Sequence, residues 1–471
     1  MNDNLKKIFH YSTASIINAV LSFASTMILT RLLDKGSFGY LNLFNSASNV
    51  LMGIVCVGLD SAYIRFFYAP PSKHDHKQLA AHCVATPSVL SLLALILFSF
   101  DSVSSCVAGI TGLESKKVVL FLVINAYALS ILRFLNINYR MREKTGLFVI
   151  QSIIITCVTK FGYIAIALFE DSIIDVMIVG TILCSIVAVI FAFIQKRQFL
   201  SFKDYFGTRY GKVYKFALFD APLYNLLYLN SFIPQLITKQ EINEDALGIY
   251  SGMMVFVYAI QVISSGFATF WAPYVYKNYR EKQEAIKDVH EIVMYSLMVL
   301  LVMMLCFGKV LFLFLGKDFR ESQSIMGFFL IAPMGNIILE TTSYGISIER
   351  KNYISLVFHC ISFGINILLG VLLAPYWGLA GIAIASMVSA LIMLIGQSFV
   401  GQKYYRSMRS FYRFFSQIVI MVLLVSVYYL LYDYQLYYTM ISIALLLIIT
   451  VLERKTLSRL IRSYIFKKTQ D

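Results

Sequence analysis

Runs of about 20 mostly apolar residues, the length a helix needs to cross a bilayer, recur along almost the whole chain. They predict helices near residues 10–33, 39–60, 79–99, 117–135, 147–168 and 173–194, and a second set near 215–237, 247–270, 290–315, 323–347, 354–374 and 379–399. Two more fall near 412–431 and 436–453, which makes about fourteen. Several of these runs carry polar side chains at helical spacing. Asp220, Tyr224, Tyr228, Ser231 and Gln235 share one face of the seventh helix, and similar stripes run through Ser15, Asn18, Ser22 and Ser25, through Asn42, Asn45 and Asn49, and through Asn336, Glu340, Ser343 and Ser347. Such a face should avoid lipid. It either lines a wet cavity or bonds one helix to another, as Ser and Asn often do in membranes.

Composition agrees with the pattern. The 471 residues are 59% hydrophobic and 14% charged, against about 25% charged in ordinary soluble domains, which excludes a soluble protein. The net charge of +14 does not point to nucleic acid, because the cations lie in short runs between apolar segments rather than on one groove or face. With a cytoplasmic N-terminus, the inside segments would hold roughly 30 of the Lys and Arg residues and the outside loops about 6. One inside loop region alone has Lys196, Arg197, Lys203, Arg209, Lys212 and Lys215, so both termini are expected in the cytoplasm. The first apolar run follows Lys6 and Lys7, exceeds a signal-peptide core and is expected to stay as the first helix.

The seven cysteines form no CxxC pair, and His74 and His76 flank Asp75 in a hydrophilic loop, so neither a metal site nor a cofactor is expected. Five of the eight prolines fall in the second set of helices. Pro222 and Pro234 bracket the polar stripe of the seventh, where a bend could open or close a cavity or simply be a static kink.

Sliding the chain against itself by roughly 208 residues reveals an internal repeat. Phe38-Gly39-Tyr40 falls on Leu247-Gly248-Ile249-Tyr250, and Arg142-Glu143-Lys144 falls on Glu349-Arg350-Lys351. Six helices separate the copies, an even number, so both enter the membrane in the same direction and should relate by an axis along its normal. The expected organisation is all-α: a six-helix lobe over residues 1–200, a second over 201–402, and two additional helices with a basic tail over 403–471.

Further stretches carry a resemblance: Thr30-Arg31-Leu32-Leu33, Gly58-Leu59-Asp60-Ser61-Ala62-Tyr63-Ile64-Arg65-Phe66, Phe267-Ala268-Thr269-Phe270-Trp271-Ala272-Pro273 and Gly378-Leu379-Ala380-Gly381-Ile382-Ala383. In order and spacing, with the repeat, they resemble the polysaccharide-biosynthesis branch of the multidrug, oligosaccharidyl-lipid and polysaccharide exporter superfamily, most of all its Wzx-type O-antigen flippases. The resemblance implies two lobes around a cavity that opens alternately to each side of a bacterial inner membrane. It also implies a substrate, an oligosaccharide on undecaprenyl diphosphate, handed between polysaccharide-assembly proteins. Two rivals stay open: a multidrug exporter of the same superfamily, and a polytopic O-antigen polymerase or ligase, which resembles proteins with a larger outside loop than any here. No G-x-x-x-x-G-K-[ST] loop supports an ATP-driven pump.

Charged residues inside spans are costly and usually face a cavity or a partner. Lys160, Asp220 and Glu340 are the strongest candidates here. A diphosphate entering from the cytoplasm needs cations near that edge, and arginine's fork suits phosphate oxygens, which singles out Arg65, Arg133 and Arg140. The competing reading for Arg65 and Arg133 is snorkelling to head groups, and for Lys160 a buried pair with a carboxylate. Tyr224, Tyr228, Asn45 and Asn49 supply hydrogen bonds for sugar hydroxyls on this reading. Arg133 and Glu340 fall on each other in the repeat at an offset of 207 and could pair across a cavity, or each could be satisfied within its own lobe.

Overall fold

A computed structural model describes residues 3–68, 76–113, 115–170, 172–199 and 210–452. Every extended element in them is helical: α1 (Asp3–Leu32), α2 (Lys35–Cys56), α3 (Leu59–Phe66), α4 (His76–Ser99), α5 (Asp101–Thr111), α6 (Lys116–Met141), α7 (Thr145–Ala167), α8 (Ile173–Phe199) and α9 (Gly211–Glu241), followed by α10 (Glu244–Asn278), α11 (Gln283–Cys306), α12 (Gly308–Phe312), α13 (Met326–Thr342), α14 (Tyr344–Ile348), α15 (Tyr353–Tyr404), α16 (Phe411–Leu430) and α17 (Gln435–Leu452). The protein is an all-α, multi-pass membrane fold. The basic loop holding Lys203 and Arg209, and the His74 and Asp75 pair, lie outside the described residues.

Each of the fourteen expected segments overlaps one or more of these helices. By length and apolar composition, nine helices among the described residues could cross a bilayer, or ten if α2 and α3 form one bent span. Two of the differences have physical reasons. The expected eleventh and twelfth spans are joined in α15, whose 52 residues are about 78 Å at 1.5 Å each, far beyond one bilayer. They part at Gly378, which has φ 55° and ψ −136°, a backbone conformation that favours glycine. α9, diluted by Lys212, Lys215, Asp220 and its polar stripe, does not pass as a span although it runs unbroken through Pro222 and Pro234.

The chain packs as two units, Met1–Gly252 and Met253–Asp471. In the first, α1 lies on α7, α6 on α8, and α2 on both α6 and α9. A core of Met52, Cys56, Leu59, Tyr63, Cys83, Phe134 and Ala217 joins α2, α3, α4, α6 and α9. In the second, α13 lies on α15 and α11, and α16 on α13 and α11.

The internal repeat survives in the backbone. Glu143 and Arg350, the middle residues of the two basic triplets, both adopt left-handed conformations with φ 57° and 56°. After α6, Glu143 N–H donates to Arg140 C=O at 3.1 Å and Lys144 N–H to Tyr139 C=O at 3.0 Å. After α14, Arg350 N–H donates to Ser347 C=O at 3.0 Å and Lys351 N–H to Ile346 C=O at 2.9 Å. Both turns satisfy the last carbonyls of a helix by the same left-handed closure.

Candidate functional site

The site of the first unit begins where α2 breaks. Val57 and Gly58 are both left-handed, with φ 49° and 72°, and α3 leaves at 55° to α2. Gly58 is required by proximity as well as by φ, because a Cβ there would overlap the carbonyl oxygen of Ala217 and stand 3.0 Å from the amide of Ala221, both on α9. One turn earlier, a Cβ on Gly53 would stand 2.7 Å from Asn225 Oδ1 and 2.8 Å from the Tyr228 ring. Two small residues thus let α9 press onto the break.

The break turns Asp60 inward. Its side chain is buried, and its Oδ2 accepts from both Nε and Nη2 of Arg133 on α6 at 2.6 Å each. The same guanidinium donates through Nη1 to the Tyr228 hydroxyl on α9 at 3.0 Å. Three elements, α3, α6 and α9, are therefore tied through one arginine. A charge inside a span is tolerable when paired and hydrogen-bonded in this way.

Behind Arg133 runs a chain of buried amides. Tyr63 Oη and Arg142 Nε both donate to Asn138 Oδ1, at 3.0 and 2.9 Å. Asn138 Nδ2 donates to Gln195 Oε1 at 2.8 Å, Gln195 Nε2 to Gln151 Oε1 at 2.8 Å, and Gln151 Nε2 to Asn136 Oδ1 at 3.0 Å. The chain fastens α3, α6, α7 and α8 to one another.

Of the ten residues singled out from sequence, the structure brings Arg133 and Tyr228 together, and adds Asp60, which stood in the sequence only as part of a motif. Arg65 and Arg140 are exposed, on α3 and at the end of α6. Lys160, in the middle of α7, is partly buried, and no hydrogen bond or ion pair joins it to any described residue. Asp220 on α9 is likewise partly buried with no such partner among the described residues. The side chain of Tyr224 lies outside the described residues.

The asparagine stripe of α2 turns back on its own helix: Asn42, Asn45 and Asn49 donate to the carbonyls of Phe38, Leu41 and Asn45 at 2.8, 2.9 and 3.0 Å. Asn45 Oδ1 also accepts from Tyr163 Oη at 3.2 Å, a bond between α2 and α7. Gln235 donates to Ser46 Oγ at 2.7 Å, and Asn18 to Ser152 Oγ. These stripes join helices, whatever else they do. In the second unit Glu340 accepts from Tyr344 Oη at 3.2 Å. Arg133 and Glu340 thus each have a partner within their own unit.

No protein-family model matches this sequence, and no curated protein matches it. Solved structures do. One described as "Lipid II flippase MurJ, inward closed conformation" aligns over 95% of this chain and 99% of its own, with a TM-score of 0.72 and 12% identity. An inward-facing multidrug resistance MATE family transporter of the MOP superfamily covers 83% of this chain and 97% of its own, with a TM-score of 0.55 and 13% identity. A MOP superfamily transporter from Pyrococcus furiosus, whose title speaks of a reversed polarity of the binding pocket, covers 85% and 96%, with a TM-score of 0.59 and 15% identity. At such identities the likeness establishes the fold: this chain folds as these MOP-superfamily proteins do.

Proposed function

We propose that the chain is a flippase for lipid-linked oligosaccharides, of the Wzx type, and not an enzyme. It moves oligosaccharide units on undecaprenyl diphosphate from the cytoplasmic to the periplasmic leaflet of a bacterial inner membrane by alternating access, with both termini in the cytoplasm. The product passes to other polysaccharide-assembly proteins. The observation that carries this reading is Lys160, a partly buried cation in the middle of an apolar helix without a carboxylate partner among the described residues. Such a cation suits an anionic cargo, which a diphosphate is. Arg133, and Arg65 and Arg140 from exposed positions, are further guanidinium groups of the kind that suits phosphate oxygens. The alignment with a lipid II flippase over 95% of the chain supports a lipid-linked cargo, and the MATE alignments reach a smaller share of it.

Reconstitution tests the proposal. Protein in liposomes, given fluorescent oligosaccharide on undecaprenyl diphosphate, should expose the label to a membrane-impermeant quencher faster than empty liposomes do. Transport of cationic drugs with no movement of the labelled lipid would favour the exporter instead.

A further inference from the structure

Asp60 holds Arg133 by the edge that a phosphate would use. The Nε and Nη2 groups form the side of a guanidinium that forks a carboxylate or a phosphate, and here both point to one oxygen of Asp60 at 2.6 Å. A further contact, Nη1 to Tyr228, fixes the plane of the group. Asp60 therefore stands where an anionic ligand of Arg133 would stand.

Asp60 also sits on a short element that follows a strained joint. α3 has only eight residues and begins at two consecutive left-handed residues, Val57 and Gly58. Val57 is β-branched, and a β-branched residue at positive φ is an outlier held by its surroundings. A change of torsion at this joint, with release of the Tyr63–Asn138 bond that also ties α3 to α6, would swing Asp60 away while Arg133 stays in place on a 26-residue helix. Strain at the joint and a stand-in anion immediately after it are two independent observations that point the same way.

We propose that Asp60 is a built-in competitor for the diphosphate: it masks Arg133 in the conformation described, and a diphosphate must displace it, with movement of α3 about Val57–Gly58, to be bound. This deepens the flippase reading and rests on it for the identity of the cargo. The benefit is selectivity. An anion of low charge gains little by replacing a carboxylate already bonded at 2.6 Å, whereas a diphosphate has both the charge and the number of oxygens to do so. Loading is then coupled to a change of shape, because the ligand is favoured only in the state where Asp60 has left.

The test uses the full-length protein in nanodiscs with inorganic pyrophosphate as probe. Asp60→Asn keeps the shape of the side chain and one acceptor but removes the competing charge, so pyrophosphate should bind about tenfold more tightly than to the natural protein. Arg133→Ala should abolish that binding. Unchanged or weaker binding to Asp60→Asn would overturn the proposal, since it would mean that Asp60 orients Arg133 and does not mask it.

A second measurement needs no change at Asp60. Cys56 is buried at the end of α2, directly before the Val57–Gly58 joint. In a variant that keeps Cys56 and replaces the other six cysteines by alanine, saturating pyrophosphate should speed its alkylation severalfold. An unaltered rate overturns the movement of α3. Undecaprenyl diphosphate should compete with pyrophosphate and phosphatidylglycerol should not; equal competition by phosphatidylglycerol would make the site a general head-group anchor and end the claim of diphosphate selectivity. If the masking results hold but liposomes fail to flip the labelled oligosaccharide, the flippase reading falls and the competitor role of Asp60 stands. Conversely, flipping with no effect of Asp60→Asn on pyrophosphate binding keeps the flippase reading and removes the competitor role.

Discussion

Gly39 and Gly248, which the internal repeat equates, touch backbone to backbone. A Cβ on Gly39 would stand 2.6 Å from the amide nitrogen of Gly248 and 2.9 Å from its Cα, and one on Gly248 would overlap the carbonyl of Lys35. The start of α2 thus meets the start of α10 at a distance only glycine allows. Beside them Lys239 pairs with Glu244 at 3.0 Å, donates to Gly112 C=O at 2.7 Å and lies 4.7 Å from the centre of the Tyr40 ring. Gly248→Ala has backbone to displace and is expected to cost about 1–3 kcal/mol, with Gly39→Ala close behind. A lowered thermal midpoint in detergent is the measurement, and an unchanged midpoint for both would show that the helices part freely.

Lys160→Ala is expected to lower flipping in liposomes and surface polysaccharide in cells while protein abundance stays near normal, and Lys160→Arg to retain more activity. No described carboxylate loses a partner when this ammonium is removed, so folding has little to lose. Loss of the protein itself in Lys160→Ala cells would mean that the lysine is structural.

Gln195 is the middle link of the amide chain and is fully buried. Gln195→Leu leaves Asn138 and Gln151 each short of a bond, at about 1–3 kcal/mol apiece. The expected outcome is a clear fall in thermal midpoint, much larger than for leucine at an exposed position of α8. A midpoint within error of the natural protein would show that water or a neighbour takes over.

Arg409, in the segment between α15 and α16, serves three carboxylates on one face of α11: Glu284 at 3.4 Å, Glu291 at 3.4 Å, and Asp288. Arg413 adds a second bond to Glu291 at 3.3 Å. Arg409→Ala should loosen this strap by about 2 kcal/mol and make the segment around residues 405–410 more open to limited proteolysis. Because the pairs are partly exposed, high salt should open the natural protein in the same direction. Equal cleavage of variant and natural protein would dismiss the strap.

Orientation is open to labelling. A single cysteine at position 209 should react with a membrane-impermeant thiol reagent only after the cell membrane is broken, because the cations gathered on both sides of it favour the cytoplasm. Labelling in intact cells would invert the topology and the side from which Arg133 is approached.

Much of the fold was legible because apolar runs, glycines and basic triplets act locally. The repeat is the best instance, since Arg142-Glu143-Lys144 and Glu349-Arg350-Lys351 close their helices with the same bonds. The site was legible in part. Arg133 and Tyr228 stood out as a cation inside a span and a tyrosine on a polar stripe. Asp60 did not, because the second span was expected to end at residue 60, where an acid needs no explanation. Only the break at Val57 and Gly58 turns that end inward. A carboxylate in an apolar stretch at the depth of Arg133 was the available signal. Asn136, Asn138, Gln151 and Gln195 carried none, since uncharged amides near helix ends look the same whether buried or wet. The break in α15 at Gly378 was visible as two spans, but not as one continuous rod with a single aberrant residue.

The left-handed turns at Glu143 and Arg350 have a wider consequence. Neither position is glycine, so each bears a torsional cost of roughly 1 kcal/mol that a glycine would remove. The two positions carry opposite charges at the very residue whose handedness they share. The closing bonds, and not the charge of the side chain, therefore set the hand of each turn. Either turn is thus open to a glycine, or to a side chain of either charge, without loss of its closing bonds.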